Sequence, residues 1–300
     1  MAFSHHTVLL HEAVRLLKPE PGKLILDGTL GGGGHSEALL QAGADVVGLD
    51  RDHAALDAAA QRLKAYGTHF QAREGNFADA ASLPMAPFDG VLLDLGVSSH
   101  QLDTPGRGFS FQADGPLDMR LGQDGVTAAE LIASLEEKEL ADVIWRYGDE
   151  RFSRPIARAL KATSPQTTQA AAFAIAGAVP KSQWPKRVHV ATKTFQALRI
   201  AVNGELDALD QFLDKLPSLL KPGGVAAIIA FHSLEDRRVK TAFRRLTGTE
   251  PGGPAHVPPL ATKLPDFELL TRKSISAGED EVEDNPRARS AHLRAVEKIR

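Results

Sequence analysis

Lys23-Leu-Ile-Leu-Asp27-Gly-Thr-Leu-Gly31-Gly-Gly-Gly34-His35 is the stretch on which the fold turns. A short apolar run ends in an acid and meets a glycine cluster, which predicts a strand, a tight loop and a helix starting near Gly34 or His35. The pattern repeats on either side. Upstream, Val8 to Leu17 reads as an amphipathic helix. Downstream, Asp45-Val-Val-Gly-Leu-Asp50 reads as a second strand and Ala54 to Tyr66 as an alanine-rich helix. Thr68 to Arg73 is a weaker third strand, and Phe88-Asp-Gly-Val-Leu-Leu-Asp94 is a fourth. Strands alternating with helices at this spacing predict a parallel sheet covered by helices on both faces. Such sheets bind ligands at the carboxyl ends of their strands. Asp27, Asp50 and Asp94 all fall at such ends and together form a polar rim.

The alternation stops at about Thr104 and does not resume before Asn203. Within that interval Thr127 to Ser134, Glu136 to Tyr147, Glu150 to Ala162 and Thr167 to Ala178 fit helices. Thr127 followed by Glu130 has the spacing of a capping box. A helix from Glu205 to Leu220, a turn at Lys221-Pro-Gly-Gly224, a buried strand from Val225 to Phe231 and a helix from Leu234 to Leu246 follow. Thr247 to Pro265 is rich in Gly and Pro and reads as a loop. Phe267 to Arg272 and Ala291 to Val296 read as two last strands. The organisation expected is one discontinuous α/β domain, residues 1–103 and 204–300, interrupted by a helical insertion at 104–203.

The chain has 300 residues, 43% apolar and 24% charged, as in an ordinary globular protein. No apolar run approaches the roughly 20 residues that cross a bilayer, and Met1 to His11 lacks the pattern of a secretory leader. With no cysteine, disulfides, thiolate metal sites and a cysteine nucleophile are excluded. A cytoplasmic location and no membrane partner are expected. The eleven histidines show no metal-ligand spacing, so no metal is expected. The net charge of −3 and pI of about 6.4 lie below the pI of about 9 typical of dedicated nucleic-acid binders, which leaves only a local basic patch for such a role. Nothing in the sequence fixes the oligomeric state, and a homodimer stays open.

The glycine loop lets the backbone approach a ligand closely, and the helix after it offers unpaired N–H groups. The dinucleotide spacing G-x-G-x-x-G is absent: counted from Gly31, the third glycine's place is Ser36. S-adenosylmethionine enzymes carry an acid followed by glycines at alternate positions. Asp27, Gly31 and Gly33 fit that pattern, with Thr29 in the first glycine's place. A structural tight turn is the plainer reading of the loop. Asp50, at the end of the second strand, can accept hydrogen bonds from ribose hydroxyls, or can cap the helix that starts near His53.

Several segments together make the chain resemble the bacterial ribosomal small subunit methyltransferase H family. They are His6-Thr-Val-Leu-Leu10, Asp27 to Ser36, Leu93-Asp-Leu-Gly-Val-Ser-Ser99, Arg107-Gly-Phe-Ser-Phe111 and Asp114-Gly-Pro-Leu-Asp-Met-Arg120. Thr194-Phe-Gln-Ala-Leu-Arg199, Phe231-His-Ser-Leu-Glu-Asp-Arg237 and Asn285-Pro-Arg-Ala-Arg-Ser290 complete the set, in order along the chain. The resemblance implies a class I (Rossmann-like) S-adenosylmethionine-dependent methyltransferase sheet with an inserted all-helical subdomain. It also implies N4-methylation of one cytidine in the decoding region of 16S ribosomal RNA. Carried over, it places Gly33, Gly34, His35, Asp50, Phe77, Asp94 and Gln101 around the cofactor. The unbroken Gly31 to Gly34 run and the Thr247 to Pro265 loop depart from the family pattern.

Methyl transfer needs no metal, because the sulfonium leaving group departs neutral. The cytosine amine is a poor nucleophile on which positive charge grows, so a positioned acceptor helps. Asp94, with Ser98 and Ser99 near it in sequence, is the candidate to orient the amine or the cofactor; the alternative is a carboxylate that merely finishes a strand. His232 is a second candidate catalytic residue, with a structural role as its alternative, and Ser233 is a candidate helix cap. Lys181 to Arg199 holds Lys181, Lys186, Arg187, Lys193 and Arg199 without an acid, with Trp184 and Phe195 interleaved. Cations neutralise phosphates and aromatics stack on unpaired bases, which suits RNA. The alternative is a solvated loop and helix start with Trp184 buried. Arg107 and Arg120 are further RNA candidates. Three other functions compete: a nicotinamide dehydrogenase, opposed by the glycine spacing; a non-catalytic RNA-binding or assembly protein, opposed by the intact acids; and a methyltransferase of proteins or small molecules.

Overall fold

The computed structural model describes residues 7–249 and 265–300. The chain divides into two compact units, one formed by Met1–Gly96 with Leu206–Arg300 and the other by Val97–Glu205. The helical unit begins at Val97 and not at residue 104, because Val97 and Leu102 pack against its core.

The sheet unit opens with α1 (Leu10–Leu17), β1 (Leu24–Asp27), α2 (Gly34–Gln41), β2 (Asp45–Asp50), α3 (His53–Arg62), β3 (Phe70–Glu74) and β4 (Phe88–Asp94). The helical unit holds α4 (Ser99–Asp103), α5 (Ala128–Ser134), α6 (Glu137–Gly148), α7 (Ser153–Thr163), α8 (Thr168–Ala178) and α9 (Thr192–Asn203). The chain then returns through α10 (Glu205–Leu219), β5 (Leu220–Ala230), α11 (Ser233–Leu246), β6 (Phe267–Leu269), α12 (Glu279–Asp284) and β7 (His292–Lys298).

The strands form one sheet in the order β3-β2-β1-β4-β5-β7-β6. The first five are parallel, as expected, and β7 runs antiparallel to both β5 and β6. Both faces are covered, so the central strands are buried almost continuously, and successive side chains, pointing to opposite faces, enter two separate cores. Leu26, Val47, Val91, Leu93 and Ile228 pack with Phe212 and Leu216 of α10 and Phe243 of α11. On the other face Ile25, Val46, Leu92 and Ile229 pack with Leu17 of α1 and Leu39 of α2. This is the α/β class I Rossmann-like arrangement. Its switch point lies where β1 pairs with β2 on one side and β4 on the other.

The helical unit has its own core of Ile132, Leu140, Ile144, Ile156, Leu160, Ile175, Phe195 and Leu198. The capping box expected at Thr127 and Glu130 is present. Lys181 to Arg199 is a loop followed by the start of α9, as the alternative reading of its charges had it, and Phe195, Ala197, Leu198 and Ile200 of that helix are buried. Among the described residues no helix is long and apolar enough to cross a membrane. His6 and most of Thr247 to Pro265 lie outside the described residues.

Candidate active site

Asp27, Asp50 and Asp94 are the last residues of β1, β2 and β4. Asp27 is 1% exposed and braces the glycine loop from beneath. One carboxylate oxygen accepts from the Ser36 hydroxyl at 2.7 Å, the other from the Thr29 amide at 3.3 Å. Burial pushes its carboxyl up to about 6, against the lowering effect of those hydrogen bonds. Asp50 accepts from the Gly31 amide at 2.8 Å and the Asp52 amide at 2.9 Å, so it ties the loop to the end of β2. Burial raises its carboxyl as well. The cap of α3 is Asp52, which accepts from the Ala54 amide; Asp50 does not serve that role.

The loop itself needs glycine at named positions. Gly31 and Gly33 have φ of +51° and +78°, in the left-handed region that disfavours side chains. At Gly34 an added Cβ would run into the Thr7 hydroxyl. The next residue, His35, lies in the first turn of α2 and is buried. Its Nδ1 is 3.7 Å from a carboxylate oxygen of Asp94.

Asp94 carries the least satisfied carboxylate of the rim. Its backbone N–H donates to the Thr29 hydroxyl at 2.6 Å, but its Oδ1 is buried with no hydrogen-bond partner among the described residues. Burial, reinforced by the negative charges of Asp27 and Glu235, holds its carboxyl well above the usual carboxylate range. Such a group is stabilised by a cation or a donor placed against it.

The MraW methylase family model matches residues 2–299. The chain is 60% identical to the ribosomal RNA small subunit methyltransferase H of Myxococcus xanthus strain DK1622, over 99% of this chain and 98% of that one. It is 46% identical to the protein of the same name from Geobacter sulfurreducens, over the full length of both. The chain belongs to the MraW methylase family. Solved structures also align: an rRNA methylase from Streptococcus thermophilus covers 97% of this chain and 94% of its own, with 11% identity and a TM-score of 0.41. NSun6 from Pyrococcus horikoshii covers 98% of this chain and 53% of its own, with 13% identity and a TM-score of 0.45.

The family's S-adenosylmethionine can be tested against these residues. An anion-tolerant glycine loop, an acid at the end of β2 and a buried, unpartnered Asp94 oxygen suit a ligand with backbone-accepting, ribose and cationic parts. Phe77 completes this side of the rim: it packs edge-on against Phe212, 5.8 Å between ring centres, and a Cβ on Gly28 would meet it at 3.1 Å. Gly33, Gly34, His35, Asp50, Phe77 and Asp94 are therefore brought to one edge of the sheet unit. Gln101 belongs to the helical unit, where its side chain accepts from the Ser98 amide at 2.9 Å in the capping box of α4.

His232, the second catalytic candidate, holds a position that agrees with the structural role given as its alternative. It is the N-cap of α11, where its Nδ1 accepts from the Glu235 amide at 3.3 Å. Ser233 is the first helical residue and not the cap. Three residues escaped the sequence reading: Thr29, Ser36 and Glu235. Glu235 is 3% exposed and accepts from the Phe231 and His232 amides. Its spacing of three from His232 is the capping-box signal that was available to find it.

The arginines expected to meet RNA divide in the same way. Arg120 forms a fork onto Asp118, at 2.8 Å to each oxygen, and also donates to the Gln123 carbonyl. The Arg120 guanidinium holds the Asp118 carboxyl below its usual range. Arg107 donates to the Arg120 and Leu121 carbonyls. Arg199 is largely buried against Glu205, with contacts of 2.9 and 2.8 Å. These three brace the helical unit. Phe195 is buried against Phe111, and Lys193 donates to the Asp149 carbonyl. By contrast, 181–189 is an exposed run that presents Lys181, Lys186 and Arg187 to solvent, with Trp184 partly open and its N–H on the Val179 carbonyl.

Proposed function

We propose that the chain transfers a methyl group from S-adenosylmethionine to the exocyclic N4 amine of a cytidine in the decoding region of 16S ribosomal RNA. The methylase family and the donor are common ground with its relatives. The relatives' name supports a small-subunit ribosomal RNA substrate, and the resemblance of the motifs supports the cytidine amine. The observation that carries the reading is Asp94: a half-buried carboxylate whose Oδ1 is buried and without a hydrogen-bond partner among the described residues, at the switch point, beside His35 and the glycine loop.

Bound S-adenosylmethionine supplies an electrophilic methyl group on a sulfonium centre. The chain's own residues do the rest. Asp27, through Ser36 and Thr29, holds the loop in shape, and Asp50 fixes its far end at Gly31. Asp94 orients donors and stabilises positive charge that grows on the attacking nitrogen, the kind of preorganised contact worth about 10²–10³ in rate. Lys181, Lys186 and Arg187 of the helical unit engage RNA phosphates. A base held in a stack must be turned out to be methylated.

The test is transfer of label from S-adenosylmethionine to small ribosomal subunits that lack the modification, with mass mapping of the nucleoside. N4-methylcytidine at one decoding-region site is expected. Cofactor binding without label in RNA overturns the substrate assignment.

A further inference from the structure

Helix α11 presents two differently furnished faces. Arg238 and Arg245 pair with Asp210 and Asp214 of α10, at 3.1 and 2.7 Å. Arg237, Lys240 and Arg244 follow one another at intervals of three and four residues and so share another face. Arg237 is exposed, Lys240 and Arg244 half-buried, and none of the three makes an ion pair among the described residues. The acids of the helix do not balance them. Glu235 is buried in the N-terminal cap, and Asp236 is held by Arg294 of β7 at 2.7 and 3.1 Å. Burial pushes the Asp236 carboxyl up, but Arg294, with His292 and Lys240 nearby, brings it below its usual range.

The position of this stripe matters. The helix starts directly after β5, at the carboxyl edge of the sheet where Asp27 and Asp94 also lie. Antiparallel β7 starts at that same edge, with His292 opposite Ala230. From there the three cations run along α11 for about 10 Å, at 1.5 Å per residue. We infer that the Arg237–Lys240–Arg244 face is a phosphate-binding track that holds the RNA strand on the sheet unit; this rests on the RNA reading above. A membrane surface fits worse. Lipid-binding helices turn an apolar face outward beside their cations, whereas Val239, Ala242 and Phe243 of α11 are buried in the sheet unit.

The test compares the wild type with Arg237→Gln/Lys240→Gln/Arg244→Gln in binding unmodified small ribosomal subunits over a salt series. Affinity at about 0.1 M salt is expected to fall at least ~10-fold, and the log–log salt slope by about 2, at ~0.7 per lost single-strand phosphate contact. Cofactor affinity and the melting temperature stay at wild-type values, and Arg237→Lys/Arg244→Lys keeps the wild-type slope. A triple variant with wild-type affinity and slope, while the wild type binds and methylates RNA, overturns the track alone. A wild type that binds no RNA overturns the track and the RNA reading together. Loss of binding to anionic vesicles, with RNA binding unchanged, also overturns it.

Discussion

Asp27 and Asp94 end neighbouring strands, yet their surroundings set them apart. Asp27 has both oxygens engaged, and Asp94 leaves one without a partner. Replacing Asp94 by Asn keeps the shape and removes the charge. Turnover is expected to fall by about 100-fold or more, in single-turnover methyl transfer, while the melting temperature holds. Full turnover with unchanged cofactor affinity would remove Asp94 from its assigned role. Asp27 makes a prediction about stability. Its folded-state carboxyl lies at about 6 against an ordinary 3.8, so the native state holds the proton more tightly than the unfolded chain. Its contribution to stability therefore declines as pH rises from about 4 to about 6, by something on the order of 3 kcal/mol. Asp27→Asn cannot ionise, so its melting temperature relative to wild type should climb over that window; a constant difference would refute this. The three rim acids were legible in the sequence because each ends an apolar run. Their partners were not: a hydroxyl on Thr29 or Ser36 looks the same in sequence whether or not it meets a carboxylate.

At the scale of elements, the glycine loop and α9 show what a one-dimensional pattern reports and what it omits. The loop was readable from composition alone, and its geometry explains why: Gly33 stands at φ +78° with Leu63 and Ala59 close to where a Cβ would project. Gly33→Ala should cost about 1 kcal/mol or more in stability and weaken S-adenosylmethionine binding, both measurable by melting with and without cofactor. The start of α9 was readable, but the pairing of its charges was not. Lys193 and Arg199 suggested a surface that meets RNA, yet Arg199 lies 15% exposed against Glu205. Removing it strands a mostly buried acid, so Arg199→Ala should destabilise the protein by about 2–4 kcal/mol without changing the salt slope of RNA binding. A lowered slope with no stability loss would return Arg199 to the RNA surface. Strand direction was also invisible. Side chains point alternately to the two faces in parallel and antiparallel strands alike, so the last two strands could be placed but β7 could not be oriented.

On the scale of the whole molecule, each unit has its own core. Residues 97–205 surround Ile156, Leu160, Ile175 and Leu198 with helices, and the sheet unit packs both of its faces with other residues. A fragment spanning 97–205 should therefore be helical by circular dichroism and melt cooperatively; a fragment without a transition would show that this core depends on the rest of the chain. The break in strand–helix alternation revealed that an insertion exists. Its start was misplaced because the short α4 carries too few residues for any period to emerge.

The neighbours β4 and β5 are joined in register from Gly90↔Val225 to Asp94↔Ile229, although the whole helical unit separates them along the chain. Their pairing closes a very long loop, and each doubling of flexible length adds about 0.6 kcal/mol to the entropy that closure must overcome. A helical unit that condenses first shortens the flexible path and hastens this step. Substitutions in its core, such as Ile156→Ala, are then expected to slow the assembly of the catalytic sheet and to lengthen the time its bare strand edges stay open to aggregation. The insertion is thus expected to govern the timing of folding.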